Sequence, residues 1–217
     1  MDQGRLAEIA RKVGQDWIET DYYDKAESEE WTNIFWAPNS AFRPMFDRLD
    51  TTRILEIACG RGRHSAQLIG KPGEKWMSDI NVPNIEHCQK RFKGMADFHA
   101  FVGNGYDLRP IEDSSMTAAF CYDAMVHFDS EVVLSYLQET YRVLKPGGFG
   151  LFHHSNNDAS PGANYQDNTH WRNFMSVKLF AHYAIKSGLR VVESKVINWS
   201  GQICLDAITL VYRPDSK

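Results

Sequence analysis

Over the first fifty residues the apolar positions recur every three or four places. Leu6, Ile9, Ala10, Val13, Trp17 and Ile18 fall on one stripe and predict an amphipathic helix over residues 5–19. An acidic, aromatic stretch follows, from Tyr22 and Tyr23 through Trp31, Ile34, Phe35 and Trp36. It predicts a helix from Lys25 that Pro38 ends, and Ser40 then caps a short helix to Leu49. From residue 54 the pattern changes to short apolar runs at 54–57, 75–80, 98–102, 117–122 and 149–154. Helical segments at 63–69, 82–93 and 131–144 separate them. A glycine- and asparagine-rich loop runs to Thr169, a helix is expected over 171–186, and two alternating runs at 189–199 and 203–212 predict a closing antiparallel hairpin. Strand and helix in alternation predict an α/β fold, a doubly wound and mostly parallel seven-stranded sheet. Residues 1–49 form an N-terminal helical cap on this reading, and residues 50–217 form the ligand-binding domain.

Composition narrows the classes. With 217 residues the chain is long enough for a real core. Its 24 Lys and Arg against 28 Asp and Glu leave a net charge of −4, and no long run of like charge points to a nucleic-acid surface. A small-molecule ligand is the expected partner. Cys59, Cys88, Cys121 and Cys204 are widely spaced with no C-x-x-C pair, which predicts buried thiols in a reducing compartment rather than a zinc site or disulfide framework. The polar N-terminus does not read as a signal peptide, and no apolar run would span a bilayer. A cytoplasmic protein without membrane contact is expected.

The chemistry concentrates at residues 54–65, I-L-E-I-A-C-G-R-G-R-H-S. Strand, glycine turn and helix in that order present backbone N–H groups to a ligand, and Gly60 and Gly62 permit close approach. Glu56 is an acid inside a buried strand, so it must meet a cation or bind turn amides. Asp79 closes the second strand about twenty residues later, where an acid either accepts from ribose hydroxyls or caps the following helix. Gly103-Asn104-Gly105 closes the third strand. There the Asn104 carbonyl can accept from an adenine amino group, or the segment is a plain turn.

Taken in order, these segments resemble the class I S-adenosylmethionine-dependent methyltransferases. Glu56, Ala58, Gly60 and Gly62 follow that family's acid-x-Gly-x-Gly-x-Gly pattern with alanine at its first glycine. S-D-I-N at 78–81, the segment running to His127 after the fourth strand, L-K-P-G-G at 144–148 and the terminal hairpin also match, so the resemblance covers residues 50–213. It implies a Rossmann-like sheet and S-adenosylmethionine as cofactor, with S-adenosylhomocysteine as product. It places the cofactor on Glu56, Ala58, Gly60, Gly62, Asp79, Ile80, Asn104, Gly105, Tyr122 and Asp123.

The acceptor expected from the resemblance is a small molecule methylated on oxygen more readily than nitrogen, such as a sugar or secondary metabolite. His127, His153 and His154 are the candidate bases for a hydroxyl. Adjacent strand residues face opposite ways, so at most one of the last two should reach the pocket. Trp36, Tyr165 and Arg172 are expected to meet the acceptor, with Arg172 available for an anionic group. Asp123 with Asn156, Asn157 and Asp158 could hold Mg²⁺ in a metal-assisted variant, but turns share that composition and no metal is expected. The N-P-P-Y signature of amino-group methylation is absent, since Cys121-Tyr122-Asp123-Ala124 stands after the fourth strand. A nicotinamide-dependent oxidoreductase and a non-catalytic nucleoside-binding scaffold are the alternatives.

Overall fold

The computed structural model describes residues 2–215; residue 1 and residues 216–217, the outer ends of the two predicted segments, lie outside the described residues. Four helices come first: α1 (Gln3–Ile18), α2 (Tyr22–Ala26), α3 (Glu29–Trp36) and α4 (Arg43–Phe46). The sheet elements then follow as β1 (Arg53–Ile57), β2 (Glu74–Asp79), α5 (Val82–Arg91), β3 (Phe98–Val102), β4 (Met116–Cys121), α6 (Ser130–Val143), β5 (Leu144–Ser155), α7 (Val177–Lys186), β6 (Arg190–Trp199) and β7 (Gln202–Tyr212). The seven strands lie in the order β3-β2-β1-β4-β5-β7-β6. The first five pair in parallel, while β7 runs antiparallel to both β5 and β6. Strand order reverses between β1 and β4, so the crevice outside their carboxyl ends is the natural ligand site of such a sheet.

Both faces of the sheet are covered, which is why its central strands are apolar at nearly every position. On one face Leu55, Ile57, Ala119, Cys121 and Phe152 pack with Val133 and Leu137 of α6 and Phe180 of α7. On the other, Phe35 and Trp36 of α3, Phe42 just before α4, and Met45 and Phe46 of α4 meet Ile54, Phe120, Leu151, Ile208 and Leu210. The N-terminal segment therefore divides. Its first half roofs the crevice, as shown below, and its second half supplies a sheet layer.

Several predicted boundaries move; the helix expected from Ser40 to Leu49 is the single turn Arg43–Phe46. The helix expected at 63–69 is only a 3₁₀ turn, Ser65–Leu68, because Ile69 turns extended before Gly70 and Pro72. The helix expected from Lys25 is cut at Glu27, where Ser28 accepts from the N–H of Trp31 and starts α3 afresh. The strand expected over 149–154 begins earlier, at Leu144, and takes in the L-K-P-G-G segment, since the N–H of Gly147 donates to the Arg213 carbonyl and that of Arg213 to the Gly148 carbonyl. The helix expected over 171–186 starts only at Val177. Residues 172–176 are held extended because the N–H of Asn173 donates to the Val126 carbonyl and the Arg172 guanidinium is buried on Asp206. Of the cysteines, Cys59, Cys88 and Cys121 are buried and Cys204 is exposed.

Ala58, at the tip of β1, has φ of 54°, a left-handed conformation that costs a residue with a Cβ roughly 1 kcal/mol. Replacing it by glycine relieves that strain, at the expense of a looser unfolded chain. Ala58→Gly is expected to raise the free energy of unfolding in urea by roughly 0.5–1 kcal/mol. A lower value in the variant would show that the Ala58 methyl packs better than its backbone suggests.

Candidate active site

A cleft opens over the carboxyl ends of β2, β1 and β4, with α1 and α2 as its roof. Its walls include Ile9, Ala10, Val13 and Trp17 of α1 and Tyr22 and Tyr23 of α2. The sheet edge adds Ala58, Gly60, Asp79, Ile80, Gly103, Gly105, Tyr122, Asp123 and His127. The apolar stripe of α1 that buries Leu6, Ala10 and Val13 thus serves the cleft as well as the core. Gly60 has φ of 54°, and a Cβ there would stand 2.9 Å from the Tyr23 ring, so the roof lies directly on the turn.

Asp79 ties the turn together. One carboxylate oxygen accepts from the N–H of Gly60 at 2.9 Å, the other from the N–H of Asn81 at 2.8 Å and from Asn84 Nδ2 at 3.1 Å. Burial nevertheless pushes its pKa up. A carboxylate has about four acceptor positions, and three are used within the chain. The remaining one suits a single ribose hydroxyl rather than the two expected.

Also on the cleft wall, Arg63 bridges α2 and Asp123, the residue that follows β4 by two. It donates to the Asp123 carboxylate at 2.7 Å, to the Tyr22 hydroxyl at 2.8 Å and to the Ala26 carbonyl at 3.2 Å, and Tyr22 also donates to Asp123. Arg61 pairs with Asp24 and Arg91 with Glu27, so α2 is fastened to the turn by Arg61 and Arg63, and the residue after it to α5 by Arg91. Trp17 Nε1 and His64 Nε2, on two of the residues that line the cleft, are buried and have no acceptor among the described residues. The other ring nitrogen of His64 accepts from Trp36 Nε1 at 3.0 Å, which leaves the proton on Nε2.

The histidines differ sharply. His127 lines the cleft; its Nδ1 donates to the Trp171 carbonyl at 2.8 Å, so Nε2 carries a lone pair. Burial, reinforced by Arg172, pulls its pKa down to about 3. His153 lies behind the wall. Its Nε2–H donates to Asp206 at 3.0 Å, and its Nδ1 accepts the N–H of Asp123 at 3.2 Å. His153 therefore positions Asp123, which has φ of 59°. His154 points to the other face, stacked 3.9 Å from Phe180 and bonded to Thr209. Neither member of the pair reaches the cleft.

Several other expected residues lie elsewhere. Glu56 sits beneath the turn and accepts the N–H of Ser65 at 3.0 Å; burial raises its pKa to about 7. It meets a turn amide, as its burial requires, but is not on the cleft wall. Gly62 packs on α5, where a Cβ would stand 2.8 Å from Phe92. Asn104 turns its carbonyl to the N–H groups of Tyr106 and Asp107, closing a turn of its own rather than facing a ligand. Trp36 is core, because its ring packs on Phe42 and Phe46. Tyr165 donates to Asp16 at 2.6 Å and anchors its loop to α1. Arg172 is held by Asp206 through two hydrogen bonds, at 2.9 and 2.6 Å, and is 2% exposed, so it has no freedom to meet an anion. Among the described residues no group of three His, Cys, Asp or Glu is arranged to hold a metal ion, and Asp123 is neutralised by Arg63.

Residues 54–148 match the family model described as a methyltransferase domain. The chain is 30% identical over 159 residues to the ubiquinone/menaquinone biosynthesis C-methyltransferase of Neisseria meningitidis, covering 67% of this chain and 57% of that protein. The chain belongs to the class I S-adenosylmethionine-dependent methyltransferases. A fatty-acid O-methyltransferase of Mycolicibacterium smegmatis is 29% identical over 106 residues, 46% of this chain and 36% of that one. The chain thus spans less than two thirds of the length of either relative. The PH0226 protein of Pyrococcus horikoshii OT3 shares the fold at a TM-score of 0.69 and 19% identity, covering 93% of this chain and 99% of its own. No helix among the described residues is long and apolar enough to cross a membrane.

The buried histidines make stability depend on pH. His127 and His154, held near 3 and 4, stay neutral in the folded chain while their unfolded counterparts take protons below about 6.5. The stability they contribute is therefore present above pH 6.5 and lost as pH falls towards 4. Glu56, raised to about 7, acts in the opposite sense between pH 4.5 and 7 but is a single group. Urea unfolding at pH 7.5 and pH 5 is expected to show a loss on the order of 2 kcal/mol at the lower pH. Equal or greater stability at pH 5 would contradict the neutral assignment of the two rings.

Proposed function

We propose that the chain transfers the methyl group of S-adenosylmethionine to a small-molecule acceptor, through oxygen rather than nitrogen. The observation that carries the reading is Asp79: a buried carboxylate at the carboxyl end of β2, on the cleft wall and beside the Gly60 turn. The cofactor, when bound, supplies a methyl group on a positively charged sulfur. Asp79, with its one unused acceptor position, would hold a ribose hydroxyl. Ile80 and Gly105 would flank the nucleoside, and Ala58 and Gly60 would bring main chain close to the tail. Tyr122, Asp123 and the aromatic roof would align the acceptor, and alignment supplies most of the rate effect in such a transfer.

Two features support oxygen. The amino-group signature is missing after β4, and among relatives of similar identity one is a fatty-acid O-methyltransferase. His127 would accept a hydrogen bond from a bound acceptor or water through Nε2. A ring that is protonated only near pH 3 is a weak base, so its role would be orientation rather than proton removal. The division into a cap, residues 1–49, and a cofactor domain, residues 50–217, is part of the same proposal: α1 and α2 would close over the bound nucleoside.

Calorimetric titration tests the assignment. S-adenosylhomocysteine should bind and NAD should not. Asp79→Ala should weaken the first by roughly 1–3 kcal/mol, the usual effect of leaving a buried polar group without its partner. Equal affinity in that variant, or binding of NAD instead, would remove the reading.

A further inference from the structure

We propose that Cys59 and Cys88 form an oxidation site, at which a disulfide between the two thiols disables the glycine turn. Its effect on the cofactor rests on the methyltransferase reading. The two sulfurs stand 3.9 Å apart, and both thiols donate to one acceptor, the Gly60 carbonyl, each at 3.4 Å. A disulfide sets its sulfurs about 2 Å apart, so roughly 2 Å of closure separates the pair from a bond. The other two cysteines belong to different elements, Cys121 to β4 and Cys204 to β7.

The pair joins two parts that the cleft is built on. Cys59 lies in the turn after β1, and Cys88 lies on α5, whose first residues are held by Asp79. Gly60 is gripped on both sides: its N–H goes to Asp79 and its carbonyl receives the two thiols. A bridge consumes both S–H donors and ties the turn to α5. The ring of Tyr23 lies directly on Gly60, so the turn has little room to reseat when its carbonyl is released. A displaced Gly60 also gives up its bond to Asp79, the group proposed to hold the ribose.

The oxidant is a small peroxide. Cys59 is one of the residues lining the cleft and Cys88 is fully buried, so Cys59 reacts first. Its thiol loses the proton, the sulfur attacks one oxygen of hydrogen peroxide and the O–O bond breaks. The departing hydroxide takes up the proton as water, leaving a sulfenic acid on Cys59. The Cys88 sulfur then attacks the Cys59 sulfur, the S–O bond breaks, and a second water leaves with the Cys88 proton. Two thiols and one peroxide give one disulfide and two waters; the sulfurs lose two electrons and the peroxide gains them. Burial, with Cys88, Asp79 and Glu56 close by, raises the pKa of Cys59 well above its usual range. The first step is therefore slow at neutral pH, and the pair answers sustained rather than passing oxidant.

The test uses the full-length chain, reduced and then held in excess hydrogen peroxide at pH 8.5. A non-reducing tryptic map is expected to show residues 54–61 linked to residues 76–90. Calorimetric titration should find S-adenosylhomocysteine bound at least ten-fold more weakly by the bridged protein, and restored within two-fold by dithiothreitol. A double variant, Cys59→Ser with Cys88→Ser, keeps two hydroxyl donors and cannot form the bridge. Peroxide should leave its affinity within two-fold of its own untreated value. If that variant does not fold, the map and the reversal by dithiothreitol decide on the wild-type chain alone. The proposal is overturned if the map shows no such link, only a modified Cys204 or a sulfinic acid at Cys59. It is also overturned if the bridged protein binds as tightly as the reduced one, or if peroxide weakens the double variant as much as the wild type. Failure of the reduced wild-type chain to bind S-adenosylhomocysteine would instead remove the methyltransferase reading, with the bridge itself still decided by the map.

Discussion

The cleft depends on the Asp79 carboxylate. It draws the Gly60 N–H from the β1 turn, the Asn81 N–H at the start of α5 and the Asn84 side chain onto one buried charge. A buried carboxylate without such donors would be expensive. With them it fixes the spacing between the ends of β1 and β2, and three of its about four acceptor positions are used in doing so. On the proposed reading structure and binding share one group, so the acid cannot be exchanged for a neutral residue without loosening the turn as well.

On the other side, a second buried network sets the β4 end. Asp206 on β7 binds Arg172 through both oxygens and fixes the tautomer of His153, and His153 holds the backbone of Asp123. Asp123 in turn pairs with Arg63, which reaches up to α2. The antiparallel strand β7, the glycine turn and the roof are thus linked through charge pairs rather than apolar packing alone. Removing one member of such a buried set leaves an uncompensated charge, and Arg172 and His153, which the set holds away from the cleft wall, are poor candidates for contact with a substrate.

How much of this was legible in the sequence follows from which forces are local. The strand runs at 54–57, 75–80 and 98–102 are read from apolar periodicity, and the observed strands lie within a residue or so of them. The placement of Ala58, Gly60, Asp79, Ile80, Gly105, Tyr122, Asp123 and His127 on one wall follows from strand ends meeting at one sheet edge. Side-chain pairing between distant segments is another matter. Arg172 and Asp206 are 34 positions apart, and nothing in a linear pattern distinguishes an arginine reserved for a buried acid from one free to bind an anion. Trp36 was indistinguishable from Trp17 for the same reason: each is an aromatic on an amphipathic helix, and only the fold puts one in the core and the other on the roof. His64 could have drawn notice as a polar residue inside the turn motif, but its free N–H depends on a bond from Trp36 that spans 28 positions.

The most direct test of the central claim is a crystal structure of the chain with S-adenosylhomocysteine. The account predicts the nucleoside over the ends of β1 and β2, a ribose hydroxyl within hydrogen-bond distance of Asp79, and α1 and α2 packed across it. A nucleoside bound elsewhere, or one in the cleft with Asp79 touching only Gly60, Asn81 and Asn84, would contradict it.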